Sequence, residues 1–553
     1  MAGASMADQS LTPGSGRAAE LARRWQTVAA AYPSLVAAGL GLITACGYPP
    51  LHAWWIALPA LALLVSHIST APNWRSAMWR GWLFGWVHLT LANNWIATAF
   101  THQAKMPEVL GWLAVPLLCI YLAAYPALAA LAAHLAAKRA GPLAFGAVFA
   151  AAWIVTEWLR SWVFTGYPWP PLGLMLLGGW DAQGLASLLP WMGTYGLSGL
   201  ALFTASVLLA VTLAHRWISA VVFALLVSGW MIIPYLQVTP PNDGIRYTLV
   251  QPLIPQSEIN DGSKFEAQFE RLAQPTLAGR DQSRVVLWPE GTLPDYLEDG
   301  YPQRYYDRMT YAQDPVLARQ RIGQVIGPQS TLLTGVVNLN MAERADGTVG
   351  AVSARNSVIA LNGAGEITHH YAKAHLVPYG EYLPLEWALE PLGLARLSAG
   401  AIPYIPGPGP RTLDLGAHGR AGVQICYEIV FSGQVADRND RPDYIFNPSN
   451  DGWFGSWGPP QHLAQARMRA IEEGLPVLRS TTTGISAVID ARGIVRQNIA
   501  SGIAGSVEGT IPAPLPPTLF ARLGNALPLI WAALMALMGF GLPRLLALRS
   551  ARG

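Results

Sequence analysis

The sequence predicts two structural parts in one polypeptide: a set of apolar helices that cross a membrane, and an α/β domain outside it. Only 12% of the 553 residues are charged, and the mean hydropathy is +0.29; ordinary globular proteins carry roughly 25% charged residues. The charges are also unevenly distributed, because residues 237–524 hold 23 Lys/Arg and 28 Asp/Glu, which leaves 13 and 5 for the rest. Strand and helix patterns alternate within that charged segment, which is typical of an α/β sheet covered by helices.

The composition excludes several classes of protein. A formal net charge of +3 gives no support to nucleic-acid binding, and three cysteines in 553 residues cannot make a disulfide framework. The sequence contains no H-E-x-x-H motif, no C-x-x-C motif and no G-x-S-x-G elbow of a serine hydrolase. We therefore expect neither a metal ion nor another cofactor.

Eight hydrophobic segments have lengths near the ~20 residues that span a bilayer. They are Ala29–Cys46, Ala53–Ser69, Met78–Phe100, Val109–Ala137, Leu143–Val163, Trp191–His215, Trp217–Leu236 and Ala526–Leu548. The stretch Gly166–Leu189 is also apolar, but its Pro and Gly residues favour a loop packed at the membrane interface. The 22 Trp residues fit helices that end in that interface.

Lys and Arg in the short loops predict the orientation of these segments. With the N-terminus in the cytoplasm, eleven basic residues fall on the cytoplasmic side, against Lys105 and Arg160 on the other. The eleven are Arg17, Arg23, Arg24, Arg75, Arg80, Lys138, Arg139, Arg216, Arg544, Arg549 and Arg552. An even number of spans returns the C-terminus to the cytoplasm and places the α/β domain outside, which in a bacterial inner membrane is the periplasm.

The chain thus divides into four segments. Residues 1–25 are small, polar and rich in Gly and Ser, and we expect them to be disordered in the cytoplasm. Residues 26–236 are predicted to form a membrane domain of about seven helices, and residues 237–524 the outer α/β domain. Residues 525–553 are the final span and a short cytoplasmic tail.

Alternating apolar runs bounded by turn residues predict seven strands in the outer domain. They are Ile245–Leu253, Arg284–Trp288, Thr331–Val337, Ser357–Leu361, Gly422–Cys426, Asp443–Asn447 and Gly484–Ile489. A helical period predicts helices between them, at Lys264–Leu272, Pro315–Gly323 and Gln461–Glu473.

Three reactive side chains lie near the ends of predicted strands, where loops meet a cavity in α/β proteins. Glu290 follows a strand, Lys373 lies just past a hairpin, and Cys426 ends the strand GVQIC. Each has a plainer interpretation, because a lone glutamate or lysine is usually solvated and a lone cysteine is usually a small buried hydrophobe. Cys46 and Cys119 lie in predicted spans, and we interpret both as small buried hydrophobes.

Taken together, a carboxylate, an ammonium group and a thiol are the groups that acyl transfer through a thioester requires. A thiol with a pKa near ~8.5 is a poor nucleophile until a base or a cation favours the thiolate. Glu290 is the candidate base. Lys373 is the candidate group that stabilises the tetrahedral oxyanion, together with the backbone N–H of Tyr427. These residues alone do not identify the substrate.

Longer motifs surround these residues. They are WPEGTLP around Glu290, KAHLVPYGEYLPLE from Lys373, ICYEIVF around Cys426, SNDGWFG at Ser449–Gly455 and the run Gln461–Asp490. At these motifs the sequence resembles the nitrilase superfamily, which uses a Glu-Lys-Cys triad in an αββα sandwich. With the apolar segments added, it resembles the apolipoprotein N-acyltransferase family. The resemblance implies an α/β fold plus membrane helices, in which a nitrilase-like αββα sandwich is inserted before the last of about eight transmembrane helices.

The resemblance also implies roles for individual residues. It makes Glu290 the general base, Lys373 the oxyanion-stabilising lysine and Cys426 the nucleophile. Glu381 matches a further glutamate of the family, which is expected to orient the lysine and support proton transfer. The sequence departs from the family pattern at Gly291, where Ser is common, but this change removes no reactive group.

Four more residues match family positions near the nucleophile. Tyr427 and Glu428 are implied to support it directly. Trp453 and Phe454 match an aromatic loop that is expected to border the lipid entrance, although plain packing explains these two residues equally well. Gly452 stands where the family often has Ala, and this departure also leaves every reactive group in place.

By this resemblance we expect an N-acyltransferase with a ping-pong mechanism. Cys426 would take an acyl chain, the sn-1 chain of phosphatidylethanolamine, as a thioester. It would pass this chain to the α-amino group of the S-diacylglyceryl-cysteine of an apolipoprotein. The expected partners are thus a phospholipid donor, an apolipoprotein acceptor and the lipid bilayer, and the protein is expected to be a monomer.

Two other functions fit parts of the sequence. A membrane-tethered amidase would use the same triad, but a water-soluble substrate requires only one anchor. A multi-span transporter or scaffold with an inactive outer domain is the other alternative, and loss of a triad residue would favour it. Glu157 and Arg160, three residues apart near the outer end of a predicted span, fit a local ion pair or a headgroup contact better than a transport site.

Overall fold

The computed structural model describes residues 15–102, 108–138, 140–214, 216–235, 241–259, 261–343, 347–389, 391 and 402–550. Residues 1–14 lie outside this part of the chain, as does the predicted boundary at residues 236–237. Three basic residues used to predict the orientation, Lys105, Arg139 and Arg552, also lie outside it.

In the described part of the chain, ten α-helices precede the outer domain. They are α1 Ser15–Ala31, α2 Pro33–Ala45, α3 Trp54–Ser69, α4 Trp74–Ala92, α5 Ile96–Ala99, α6 Val109–Leu122, α7 Ala124–Ala137, α8 Pro142–Arg160, α9 Leu189–Leu213 and α10 Trp217–Ile232. Predicted disorder is wrong for residues 15–25, which belong to α1. Ala, Leu and Arg are strong helix formers, and Arg24 pairs with Glu20 one turn earlier at 2.6 Å.

Several of these helices are long and apolar enough to cross a membrane. By length and composition, three stretches of the described chain qualify: Val109–Ala137, Pro142–Arg160 and Leu185–Leu213. A fourth is added if α1 and α2, which meet at a bend of 109°, form one span. Shorter apolar helices are Trp54–Ser69, Trp217–Ile232 and Ala526–Gly541. The total of eight spans stays a prediction.

Of two other apolar segments, one differs from its prediction and the other agrees with it. The predicted span Met78–Phe100 is interrupted, because α4 ends at Ala92 and the Asn93 side chain donates to the Leu89 carbonyl oxygen at 2.9 Å. The predicted loop after Gly166 contains only two short 3₁₀ turns before α9 begins at Leu189.

Glu157 and Arg160 form an ion pair inside the membrane domain. Their closest N–O distance is 3.6 Å, and both side chains are buried. Arg160 also donates to the Pro170 carbonyl oxygen at 2.8 Å. Arg160 therefore holds the loop after α8 in place, and the buried pair does not contact a lipid headgroup.

The outer domain contains two six-stranded sheets. The strands are β1 Pro241–Gln251, β2 Val285–Leu287, β3 Thr331–Glu343, β4 Val349–Asn362, β5 Ile367–Ala372, β6 Thr412–Asp414, β7 Arg420–Val423, β8 Tyr444–Ser449, β9 Val477–Thr481, β10 Ser486–Ile489, β11 Val495–Ile499 and β12 Gly505–Pro512. The first sheet has the order β12-β1-β2-β3-β4-β5, and the second has the order β11-β10-β9-β8-β7-β6. The helices are α11 Phe265–Leu277, α12 Gln303–Met309, α13 Pro315–Ile326, α14 Glu386–Leu389, α15 Gly458–Glu473 and α16 Leu519–Leu523; α17 Ala526–Ser550 follows.

Alternating side chains show how the layers stack. Leu249, Leu287 and Leu333 of the first sheet lie in one core with residues of the second sheet. Their neighbours Val250, Val286 and Leu332 point to the opposite face, where they pack against Phe269 of α11 and Ile322 of α13. Because α15 covers the second sheet, the order of layers is helix, sheet, sheet, helix, which confirms the predicted αββα sandwich.

All seven predicted strands and all three predicted helices correspond to elements of the structure. The prediction is wrong at one important point, because β7 ends at Val423 and Cys426 is not part of a strand. Cys426 instead begins a short 3₁₀ turn, Cys426–Val430, with a φ of 51°. Strands β5, β6, β9, β11 and β12 were not predicted.

Helix α15 lies between the outer domain and the membrane domain. One face packs against the sheet through Leu463, Ala466 and Ala470. Another packs against the apolar helices through Ala464, Met468 and Ile471. Arg467, also on α15, donates to the carbonyl oxygens of Gly178, Gly179 and Ala182 at 2.7–2.9 Å. The two domains therefore share a continuous packed interface.

Glu472 is the central acceptor of this interface. Its Oε1 atom accepts from the backbone N–H and the hydroxyl of Thr194, both at 2.6 Å, and Ser432 donates at 2.9 Å. Arg469 pairs with its Oε2 atom at 2.8 Å. Gly193, with a φ of 69°, interrupts the regular geometry of α9 directly before Thr194.

We predict that Glu472→Ala lowers the free energy of unfolding by about 3 kcal/mol, because it leaves the buried Arg469 charge without its carboxylate. Chemical denaturation in detergent, followed by tryptophan fluorescence, measures the loss. Glu270→Ala, which removes an exposed carboxylate from α11, is the matched control and should leave stability unchanged. Equal stability of both variants would contradict a structural role for the Glu472 cluster.

Candidate active site

The structure brings Glu290, Lys373 and Cys426 into one buried site. Glu290 follows β2, Lys373 follows β5, and Cys426 follows β7, and their exposed fractions are 8%, 2% and 4%. Gly335 of β3 makes room for the first of these loops, since a Cβ atom there would lie 2.8 Å from the Cα atom of Glu290.

Two carboxylates surround the ammonium group of Lys373. Its Nζ atom lies 2.9 Å from Oε2 of Glu381 and 3.6 Å from Oε1 of Glu290. Burial lowers the pKa of Lys373, but the two carboxylates outweigh this effect and raise it overall. Lys373 is therefore a cation in the resting site.

Asn356 connects the two carboxylates. Its Nδ2 atom donates to Oε1 of Glu290 at 2.7 Å and to Oε1 of Glu381 at 2.9 Å. The backbone carbonyl oxygen of Asn356 accepts from the backbone N–H of Lys373 at 2.9 Å, which continues the pairing of β4 with β5. Backbone donors complete the set: Val377 donates to Glu381 at 2.8 Å and Asn450 to Glu290 at 2.9 Å.

The thiol of Cys426 is protonated at rest. Burial raises its pKa well above the ordinary value, and the Glu290 charge raises it further, whereas Lys373 acts in the opposite direction. The Glu290 and Lys373 charges thus lie close enough to the thiol to influence its ionisation. A thiolate therefore forms only when a base accepts the proton.

Glu428 fixes the chain on both sides of Cys426. Its carboxylate accepts from the backbone N–H groups of Ile425 and Ala374 at 2.8 and 2.7 Å, and from the Tyr371 hydroxyl at 2.9 Å. Burial raises the pKa of Glu428 to about 7, although these donors act against the shift. Glu428 therefore links the loop of Lys373 to the turn of Cys426.

The turn that begins at Cys426 lies against the membrane domain. The Tyr427 hydroxyl donates to the Gly166 carbonyl oxygen at 3.4 Å, and its ring centroid is 6.5 Å from that of Tyr167. Phe454 is buried, with its ring 4.8 Å from that of Trp95 and 5.6 Å from that of Trp169. The loop after α8 and the segment before α5 therefore form one side of the site.

Trp453 and Phe454 differ in their surroundings. Phe454 has the packed environment of a core residue, as the plainer interpretation expected. Trp453 is half-buried and packs at 5.8 Å against the ring of His102, near Ala99 and Phe100 of the membrane domain. The predicted lipid entrance at these two residues stays a prediction.

Sequence reasoning missed Asn356 and Asn450. Asn356 interrupts an apolar strand pattern, and an internal amide in such a strand was an available signal. Asn450 lies in the SNDGWFG motif, but its backbone contact with Glu290 depends on the tertiary fold. Among the described residues, no group of three or more His, Cys, Asp or Glu is arranged to hold a metal ion.

Comparison with known proteins identifies the family. Residues 40–207 match the apolipoprotein N-acyltransferase N-terminal domain, and residues 250–511 match the carbon-nitrogen hydrolase domain. An apolipoprotein N-acyltransferase from Rhodopseudomonas palustris is 31% identical and covers 91% of this chain and 94% of its own. The chain belongs to the apolipoprotein N-acyltransferase family. It is therefore an enzyme of the acyltransferase class.

Further relatives extend the match. Apolipoprotein N-acyltransferases from Bradyrhizobium diazoefficiens and Nitrosomonas europaea are 34% and 31% identical, and they cover 78% and 92% of this chain and 80% and 97% of their own. Among solved structures, an amidase of the nitrilase superfamily from Nesterenkonia is 17% identical and covers 50% of this chain and 94% of its own, with a TM-score of 0.32. That score is too low to support any argument beyond the family match.

Alkylation of Cys426 tests its protonation state. Because its pKa is raised, the thiolate fraction should grow about tenfold per pH unit between roughly pH 7 and 9, and modification by iodoacetamide should accelerate equally. Intact mass spectrometry follows the adduct, and Cys426→Ala gives the background from Cys46 and Cys119. A rate that levels off below about pH 8 would show instead that the thiolate already exists at rest.

Proposed function

We propose that this enzyme moves the sn-1 acyl chain of phosphatidylethanolamine, through a thioester on Cys426, to the α-amino group of the S-diacylglyceryl-cysteine of apolipoproteins. The product is a triacylated lipoprotein. The observation that carries the proposal is the buried cluster of Glu290, Lys373 and Cys426 against apolar helices, in a chain of the apolipoprotein N-acyltransferase family.

The first half of the reaction loads the enzyme. Glu290 accepts the thiol proton, and the thiolate of Cys426 attacks the ester carbonyl carbon of the phospholipid. Lys373 and the backbone N–H of Tyr427 stabilise the oxyanion of the tetrahedral intermediate. The intermediate breaks its bond to the glycerol oxygen, which takes the proton from Glu290 and leaves as a lysophospholipid.

The second half of the reaction transfers the acyl chain from the enzyme to the apolipoprotein. The α-amino group of the diacylglyceryl-cysteine attacks the thioester carbonyl carbon and gives a proton to Glu290. The carbon–sulfur bond breaks, an amide remains on the lipoprotein, and the proton returns from Glu290 to the Cys426 sulfur. One site that serves two substrates in turn predicts ping-pong kinetics.

The position of the site suits substrates that stay in a bilayer. Drawing an acyl chain fully into water costs about 0.8 kcal/mol per CH₂, and both proposed substrates carry such chains. A nucleophile that lies beside the apolar helices avoids this cost. We place the protein in the bacterial inner membrane as a monomer, with its catalytic domain in the periplasm and both termini in the cytoplasm.

Intact mass spectrometry of the purified protein after incubation with phosphatidylethanolamine tests the loading step. We expect an added acyl mass that hydroxylamine removes, because thioesters are labile to this reagent. Cys426→Ala should show no adduct, whereas the double variant Cys46→Ala/Cys119→Ala should acquire it as the wild type does. Donor lipids labelled at sn-1 or sn-2 identify the chain that moves.

Absence of an adduct on folded, lipid-supplied protein would contradict the thioester. An adduct that persists in Cys426→Ala would assign the acyl group to another residue. Release of ammonia from simple amides, without acyl transfer to a diacylglyceryl peptide, would favour the amidase alternative.

A further inference from the structure

The nucleophile has a backbone conformation that non-glycine residues rarely adopt. Cys426 has a φ of 51°, in the left-handed region, and such a conformation persists only where surrounding contacts hold it. The N–H of the preceding Ile425 donates to Glu428, as described above. The carbonyl oxygen of Cys426 lies 3.0 Å from Nε2 of His462, a buried residue of α15.

The neighbours of His462 determine which ring nitrogen carries the proton. The Cys426 carbonyl oxygen can only accept, so the facing Nε2 is the ring nitrogen that carries a proton. Nδ1 lies 2.9 Å from Nη2 of Arg479 and 3.1 Å from Oδ1 of Asp451. Burial lowers the pKa of His462 to about 4, and the Arg479 charge acts in the same direction, so the ring is neutral at neutral pH. The proton of the neutral ring is then on Nε2, which donates to the Cys426 carbonyl oxygen.

Both terminal nitrogens of Arg479 are held in place by acceptors. Its Nη2 atom lies 2.7 Å from each carboxylate oxygen of Asp451, and both side chains are completely buried. Its Nη1 atom donates to the Ser449 hydroxyl at 2.9 Å and to the Asn447 amide oxygen. The guanidinium group and the Asp451 carboxylate therefore hold the Nδ1 side of the imidazole in place.

Aromatic packing restricts the imidazole from both domains. Its ring centroid lies 5.0 Å from that of Trp169, in the loop after α8, and 5.4 Å from that of Phe454. With a fixed ring plane and a fixed tautomer, His462 presents its Nε2–H in one direction.

We propose that His462 is a positioning residue that sets the direction of the oxyanion donor beside the nucleophile. The C=O group of Cys426 and the N–H group of Tyr427 belong to one planar peptide unit. A donor fixed on that carbonyl oxygen therefore fixes the direction of the Tyr427 N–H, and it polarises the peptide so that this N–H donates more strongly. The inference rests on the proposed function, in which this N–H stabilises the oxyanion.

The test compares a reaction that forms an oxyanion with one that does not. p-Nitrophenyl butyrate acylates a thiol through a tetrahedral oxyanion, whereas iodoacetamide alkylates it by direct displacement. We expect His462→Ala to slow nitrophenolate release by about 100-fold and to leave the alkylation rate close to that of the wild type. Both rates are measured on the same preparation, so their ratio does not depend on the folded fraction.

Two further variants separate the hydrogen bond from the loss of a side chain. His462→Gln keeps an N–H donor near the position of Nε2 and should recover most of the acylation rate. Gln465→Ala removes a buried polar side chain one turn further along α15, and the amide atoms of Gln465 have no hydrogen-bond partner among the described residues. This control should keep the wild-type ratio of the two rates.

Equal losses in both reactions, or no loss in either, would overturn the positioning role. So would an acylation rate in His462→Gln as low as in His462→Ala. Failure of the proposed function has a different signature. If Cys426→Ala releases nitrophenolate as fast as the wild type, Cys426 is not the acyl carrier. If Cys426 reacts with the ester but no phospholipid loads it, the role of His462 stands and the proposed donor is wrong.

Discussion

One buried ammonium group, that of Lys373, determines how the other charged groups of the site are arranged. An unpaired cation in this environment would be strongly destabilising, so the fold places two carboxylates beside it. Asn356 keeps both carboxylates in place through a single amide. Burial and the Glu290 charge keep the neighbouring thiol protonated at rest, against the effect of Lys373. In the proposed reaction, moving the thiol proton to Glu290 conserves the total charge of the site, so a thiolate forms without adding a buried negative charge.

The second constraint is the junction between the domains. Helix α15 is buried on the sheet side and on the membrane side, and Trp169 and Tyr167 of the membrane domain lie beside Phe454, His462 and Tyr427. The turn at Cys426 is thus supported by residues of both domains. This arrangement explains why a nitrilase-like sandwich, which folds around its own two sheets, is fastened here to a set of apolar helices.

The sequence predicted the parts of the site that depend on local patterns. Glu290 follows a strand that was recognisable from alternation, Lys373 was expected just past a hairpin, and the motifs around both residues carried the family resemblance. Asn356 was missed because only the pairing of β4 with β5 brings it beside Lys373. His462 was missed because the polar positions of α15 look like a solvated helix face, whereas the membrane domain covers them. The left-handed turn at Cys426 was mistaken for the end of a strand, since tertiary contacts rather than propensity maintain it.

The most direct test of the proposed thioester mechanism is transfer of the acyl chain from a preformed acyl-enzyme to an acceptor peptide. Enzyme loaded with a labelled sn-1 chain, and separated from free lipid, is mixed with an excess of synthetic S-diacylglyceryl-cysteine peptide. We predict that the label leaves the protein and appears on the peptide amine with one shared rate constant, without release of fatty acid. Label that stays on the protein while the peptide is acylated, or that appears as free fatty acid, would contradict a thioester on Cys426 as the intermediate.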